Sequence, residues 1–312
     1  MARLCLTVAL AIAALLLAAC GGSAATVPPS AAPVSTSPMT ASPAGPSPTV
    51  SATPTTTPTA SPTPTPTPGP TLAENVPFTP RIPCAADPAW EDAICQLEFD
   101  IAAPPAGTGP HPVAVLLRGG PAKPHDIDYL RDPAVALAQR GVVAMVADWR
   151  QNDTYAGSGD VPFQDIACAI GVARKIAPEY GGDPNRVTLI GHSNGGWGGG
   201  VVAFSPTTFK PLSGTCDETT GSLRPDAFIG VETWLAPEVA DAAPRDPEHP
   251  IPILVVHDEG DPNVPVDMAR AFVARMKRLG YHPELVMLPG GDHISSLYDK
   301  AALDRMAAFA GG

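Results

Sequence analysis

The stretch Arg186–Gly200, RVTLIGHSNGGWGGG, decides how the rest of the chain is read. Arg186–Ile190 has the length and aliphatic content of a buried strand, and Asn194–Ala203 reads as a helix. Between them lies Gly191-His192-Ser193-Asn194-Gly195. A G-x-S-x-G pentapeptide is common by chance, but between a strand and a helix it describes a sharp turn that exposes a serine hydroxyl. Such a turn drives Ser193 toward a strained backbone, and neighbours without side chains let the chain pass close by. Gly195, Gly196, Gly198, Gly199 and Gly200 allow tight packing of the helix while lowering its intrinsic helicity.

On either side the chain alternates short apolar runs with helical patterns. Strands are expected at His111–Leu117, Val142–Asp148, Asp226–Val231, Pro252–His257 and Glu284–Leu288. Helices are expected at Asp132–Arg140, Phe163–Ala177, Val266–Leu279 and Ser296–Phe309, with an insertion at Phe204–Arg224. Continuous apolar strands alternating with helices imply a mostly parallel sheet covered on both faces. The site of such a sheet lies outside the carboxyl ends of its strands, so the loops after Leu117, Ile190, Val231, His257 and Leu288 matter most.

A serine hydroxyl needs a base to become a nucleophile at neutral pH. Of the seven histidines, only His293, in Leu288-Pro-Gly-Gly-Asp-His293, has both the right loop and the right order. His125, after the first of these strands, is a candidate binding residue. The acid that orients His293 should follow Pro252–His257, which offers Asp258, Glu259 and Asp261.

Asp261-Pro-Asn-Val-Pro265 resembles the acid loop of α/β-hydrolases, in which the aspartate opening the pattern completes the triad. The resemblance therefore points to Asp261, with Asp258 its main competitor. Glu232 is a further possibility, because some members of the fold take their acid after the preceding strand. Arg118-Gly119-Gly120-Pro121 is similar to the family's His-Gly-Gly-Pro loop, with arginine where histidine is usual. This implies an oxyanion hole built from the backbone N–H groups of Gly120 and Asn194. Asp165–Ile170 and Glu179–Arg186 look like the secreted esterase and dienelactone-hydrolase-like branch. That branch's dienelactone enzymes use cysteine, so Ser193 argues for an esterase acting through an acyl-enzyme.

The expected domain occupies residues 74–312 and takes a small-molecule ester, with Trp149, Tyr155, Trp197 and Trp234 as candidate pocket walls. No cofactor or metal is expected, since the cluster at His257–Asp261 reads as a solvated loop and no helix carries His-Glu-x-x-His. A peptidase of the same fold is one alternative, although it would normally bring a propeller or large cap. A non-catalytic surface-binding lipoprotein is the other, although a degenerate hydrolase should have lost a triad member.

The amino-terminal quarter has a different character. Residues 1–19 join Arg3 to an apolar Leu4–Leu17 core and small residues, the pattern of an export signal. Leu17-Ala-Ala-Cys20 resembles a bacterial lipobox, which implies a lipid-modified Cys20 and an extracytoplasmic, membrane-anchored protein. Residues 20–73 carry no charged side chain and repeat Pro, Thr, Ser and Ala, so they read as a disordered, extended linker. In an exported domain the remaining Cys84, Cys95, Cys168 and Cys216 read as disulfides. Three pairings are possible, with Cys84–Cys95 the local choice and Cys168–Cys216 its complement. A net charge of −12, from 19 Lys+Arg against 31 Asp+Glu, argues against nucleic acid as a partner. No obligate protein partner is evident.

Overall fold

A computed structural model describes residues 69–83, 94–120, 127–151, 160–235, 237–245, 247 and 250–312. All fall within the compact unit Pro64–Gly312. The expected signal, Cys20, most of the linker, Cys84, Pro121, His125 and Tyr155 lie outside the described residues.

An eight-stranded sheet runs in the order β1-β4-β6-β5-β7-β8-β9-β10. Its strands are β1 (Thr71–Pro77), β4 (Glu98–Ala103), β5 (His111–Leu117), β6 (Val143–Ala147), β7 (Gly182–His192), β8 (Ala227–Val231), β9 (Ile253–Asp258) and β10 (Glu284–Leu288). A short hairpin of β2 (Ile82–Pro83) and β3 (Ile94–Cys95) stands apart from it. From β6 to β10 neighbouring strands pair in parallel, whereas β4 pairs antiparallel with both β1 and β6. The parallel part follows the expected runs closely. The antiparallel edge was not expected, and Thr71–Ala73, assigned to the linker from sequence, pair with Ile101–Ala103.

Alternation along each strand divides the core into two layers. Val113, Val115 and Leu117 face the layer of α2 (Val161–Ile176), α3 (Asn194–Phe204) and α5 (Val266–Arg278). Ala114 and Leu116 face the layer of α1 (Arg131–Ala138) and α6 (Lys300–Gly311). The remaining short helix, α4 (Pro237–Ala242), sends Val239 and Ala240 into the first layer. Among the described residues, no helix is long and apolar enough to cross a membrane.

Five glycines do not prevent α3, because Val202, Ala203 and Phe204 are buried against the sheet and neighbouring helices. Tertiary burial outweighs poor intrinsic propensity here. The stretch expected as an insertion is irregular, but it is tied down. Cys216 bonds Cys168 of α2, with the Cα atoms 5.8 Å apart, and Phe209 packs on Phe163 with ring centroids 4.9 Å apart. This is one of the pairings expected from sequence.

The bridge closes a loop with a sequence separation of 48. On a chain-entropy model its removal in Cys168→Ala/Cys216→Ala should lower stability by about 4 kcal/mol, read as a shifted denaturant midpoint. A midpoint that does not move would mean that the two thiols are not crosslinked in solution.

Candidate active site

The elbow takes the conformation its sequence dictates. Ser193 has φ 53° and ψ −123°, a region that non-glycine residues seldom occupy. Its N–H donates to Val231 O of the adjacent strand at 3.1 Å, which holds the turn against the sheet. The chain crosses itself so closely here that a Cβ on Gly191 would lie 2.3 Å from the Cα of Gly196. Only glycine fits at that crossing.

His293 lies between β10 and a short 3-10 turn, Ser295–Leu297. Its Nε2 is 2.9 Å from Ser193 Oγ, and its Nδ1 is 2.9 Å from Asp261 Oδ2. A carboxylate oxygen can only accept from Nδ1, so the proton sits there and Nε2 presents a lone pair to the serine. The Asp-x-x-Val-Pro pattern now has a physical reading. Asp261 Oδ1 accepts from the N–H groups of Asn263 at 2.7 Å and Val264 at 3.0 Å, leaving Oδ2 for His293. Burial pushes the Asp261 carboxyl up, but hydrogen bonds from His293, Val264 and Asn263 outweigh it and hold the group below its usual range.

The competing acids are elsewhere. Asp258 accepts from Ser296 Oγ at 2.9 Å, and Glu259 pairs with Arg270 at the surface. Glu232 is closer, its Oε2 3.9 Å from His293 Nδ1, but Asp261 holds the hydrogen bond.

Arg118, which departs from the resembling motif, turns out to be an anchor. It is wholly buried, and its Nε donates to Asp148 Oδ1 at 3.2 Å and its Nη2 to Trp149 O at 2.9 Å. Trp149 Nε1 donates back to Arg118 O at 3.3 Å. Trp149 is therefore no pocket wall: it is completely buried and packs beneath this loop. Trp197 packs on Phe163, whereas Trp234 is 44% exposed.

The anchored loop brings Gly119 against Ser193, where a Cβ would lie 2.6 Å from the serine Cβ. The Gly119 N–H is occupied, donating to Tyr129 Oη at 2.7 Å. The N–H groups of Gly120, which has φ 67°, and of Asn194, at the start of α3, meet no acceptor among the described residues. Both expected donors thus remain available.

Sequence reasoning missed Tyr129, Ser296 and the role of His192. His192 Nε2 is 2.7 Å from the carbonyl of His293, which can only accept, so Nε2 carries the proton. Its Nδ1 must then accept from Tyr129 Oη, 2.9 Å away. A directed chain follows: Gly119 N–H to Tyr129, Tyr129 O–H to His192, His192 N–H to the His293 carbonyl. It ties the Gly119 loop to the His293 loop through the second residue of the pentapeptide. No local motif marks it. His192, Glu232 and His293 also bring potential metal ligands within 4.8 Å of one another, but all four ring nitrogens of the two histidines already have protein partners.

This eight-stranded, mostly parallel sheet, with a strained serine between strand and helix, defines an α/β-hydrolase fold. Residues 134–311 match the prolyl oligopeptidase family, and the chain belongs to it. Esterase LipC of Mycobacterium tuberculosis is 28% identical over 235 residues, covering 62% of this chain and 55% of that protein. The uncharacterized peptidase YuxL of Bacillus subtilis is 24% identical over 213 residues, covering 60% and 31%. The chain thus spans about half or less of the length of these curated relatives. A propionate-bound esterase from the planctomycete Thermogutta terrifontis superposes with a TM-score of 0.55 at 22% identity, covering 69% of this chain and 89% of that one.

Burial depresses the His192 ring to about 4, with the hydrogen bond to the His293 carbonyl opposing the shift. Above pH 6.5 the ring is neutral whether folded or unfolded. As the pH falls from 6.5 toward 4, the unfolded chain takes a proton that the folded ring refuses, so stability is lost. His192 should contribute up to about 3 kcal/mol to that loss. His192→Asn should flatten the fall of the denaturant midpoint between those pH values, and an unaltered slope would contradict the assignment.

Proposed function

We propose that the protein is a serine carboxylesterase that cleaves small-molecule esters through an acyl-enzyme. The observation that carries this reading is the unbroken hydrogen-bonded line from Ser193 Oγ through the His293 ring to Asp261. Ser193 attacks the ester carbonyl while His293 Nε2 takes its proton, and Asp261 steadies the imidazolium. The N–H groups of Gly120 and Asn194 receive the developing oxyanion, a contribution of about 3 kcal/mol per donor in such sites. His293 then protonates the departing alcohol, and water attacks the acyl-enzyme with His293 again as base. The names of the mycobacterial and planctomycete relatives support an ester as substrate.

The family match and the Bacillus relative favour a second reading, a serine peptidase using the same residues. A panel of aryl esters of increasing acyl length beside an aminoacyl anilide separates the two. Ester turnover without anilide turnover supports the esterase, and the reverse supports the peptidase.

Ser193→Ala should abolish ester hydrolysis and fluorophosphonate labelling while leaving the fold intact, and retained activity would remove Ser193 as nucleophile. At pH 7, Asp261→Asn should reduce turnover by as much as about 10⁴-fold, far more than Asp258→Asn. A larger loss in Asp258→Asn would transfer the role to that residue.

The same proposal puts the enzyme outside the cytoplasm on a lipid carried by Cys20, with the Pro/Thr-rich stretch between Cys20 and β1 as spacer. The sequence around Cys20 and the uncharged Pro/Thr-rich composition support this. The full chain should partition with membranes and incorporate labelled fatty acid, and Cys20→Ser should do neither. Wild-type protein recovered wholly from the medium with Cys20 unmodified would leave ordinary secretion.

A further inference from the structure

Glu232, the residue directly after β8, stands out on three independent grounds. Its φ of 46° puts a non-glycine residue in the left-handed region, as at Ser193. Its side chain is fully buried, and Oε2 meets no donor among the described residues. That same oxygen lies 3.9 Å from the Nδ1 of His293, on the edge of the ring that Asp261 already holds. A buried carboxyl oxygen without a donor is costly, and a strained backbone that delivers it there needs a reason.

We propose that Glu232 is a second acid for His293, silent while it carries a proton and supporting the imidazolium once ionised. The proposal rests on reading Ser193 and His293 as nucleophile and base. It makes Glu232 a positioning residue, since it touches neither substrate nor the reacting oxygen.

The surroundings explain why the proton is held at neutral pH. Asp258, at the end of β9, faces Glu232 through Ser296, whose Oγ donates to Asp258 Oδ2 at 2.9 Å and also contacts Glu232 Oε1. The Ser296 N–H donates to Oε1 at 3.1 Å. One hydroxyl cannot satisfy two buried carboxylates, so one carboxyl keeps a proton. Burial is the largest influence on Glu232 and Asp258 adds to it, while the Ser296 hydrogen bonds oppose both, leaving the group at about 8. Of the other groups at this corner, Asp261 is ionised and directed at His293, and His192 is neutral in this range.

Ionisation releases the Glu232 proton to water. A full negative charge then lies beside the ring that becomes positive when Ser193 gives up its proton. In the wild type Asp261 already supplies most of this support. In Asp261→Asn it is gone, and Glu232 is the carboxyl left facing Nδ1.

The decisive comparison is the ratio of kcat at pH 9.5 to kcat at pH 7 for aryl-ester hydrolysis by the full chain. It is taken in Asp261→Asn and in Asp261→Asn/Glu232→Gln, with Ser193→Ala subtracted as the alkaline blank. A ratio removes differences in the amount of folded enzyme, and glutamine mimics the protonated acid in size and charge. The ratio should be about tenfold larger in Asp261→Asn than in the double variant, with a midpoint near pH 8. Equal ratios, in a wild type that still reacts with a fluorophosphonate at Ser193, would overturn the proposal and leave the triad reading intact. A wild type that does not react at all would overturn both. If the double variant does not fold, the profile of Asp261→Asn decides alone: a rise centred near pH 8 supports the role of Glu232, and a profile level from pH 7 to 9.5 overturns it.

Discussion

The molecule is organised around a backbone crossing. Where β7 turns into α3, the chain at Gly191 passes so near Gly196 that no side chain fits between them, and Ser193 is forced to positive φ. This arrangement is unfavourable for an isolated peptide. It is stable here because β7 lies between β5 and β8, and the Ser193 N–H is bonded to Val231. The same crossing leaves room for Gly119 against Ser193. The loop that carries Gly119 is held there by Arg118, which is buried with Asp148 and Trp149 as its partners. An arginine therefore supplies at this position a tether to the neighbouring strand's end.

Charge in the site is arranged by the distribution of hydrogen-bond donors rather than by burial alone. Three carboxyls crowd the ends of β8 and β9, yet they differ in what they receive. Asp261 collects two backbone N–H groups as well as the ring of His293, and so remains anionic despite burial of its side chain. Glu232 and Asp258 share the hydroxyl of Ser296, and Glu232 is pushed up to about 8. His192 is kept neutral by the opposite device, a buried ring held between one donor and one acceptor. A neutral His192 and an anionic Asp261 on either side of the His293 ring suit a reaction in which a single proton moves back and forth.

Much of this was legible in the sequence because it is local. The strand, turn and helix around Ser193 follow from aliphatic residues, glycines and their order, and the parallel strands follow from uninterrupted apolar runs. The aspartate of Asp-x-x-Val-Pro is singled out by a turn whose N–H groups lie two and three residues along the chain. What escaped was set by partners distant in sequence. β1 begins inside a polar, Pro-rich stretch and becomes a strand only because β4 is there to pair with it. Trp149 has the look of an exposed aromatic in a loop, but the ends of β5 and β6 close over it.

The sequence by itself therefore determined the turn that carries Ser193, the order of the parallel strands β5 to β10 and of five of the helices around them, and the small set of residues from which a base and an acid could be drawn. Tertiary structure decided among them. Asp258, Asp261 and Glu232 are chemically similar, and only the positions of His293 and Ser296, which follow β10, separate them: Asp261 takes the ring of His293, while Glu232 and Asp258 share the hydroxyl of Ser296. Tyr129 and His192 likewise acquire their relay only when α1's approach and β7's end meet. The physical reason is range. Turn geometry and strand propensity act over a few residues along the chain, whereas burial and hydrogen-bond competition act between whatever the fold makes adjacent.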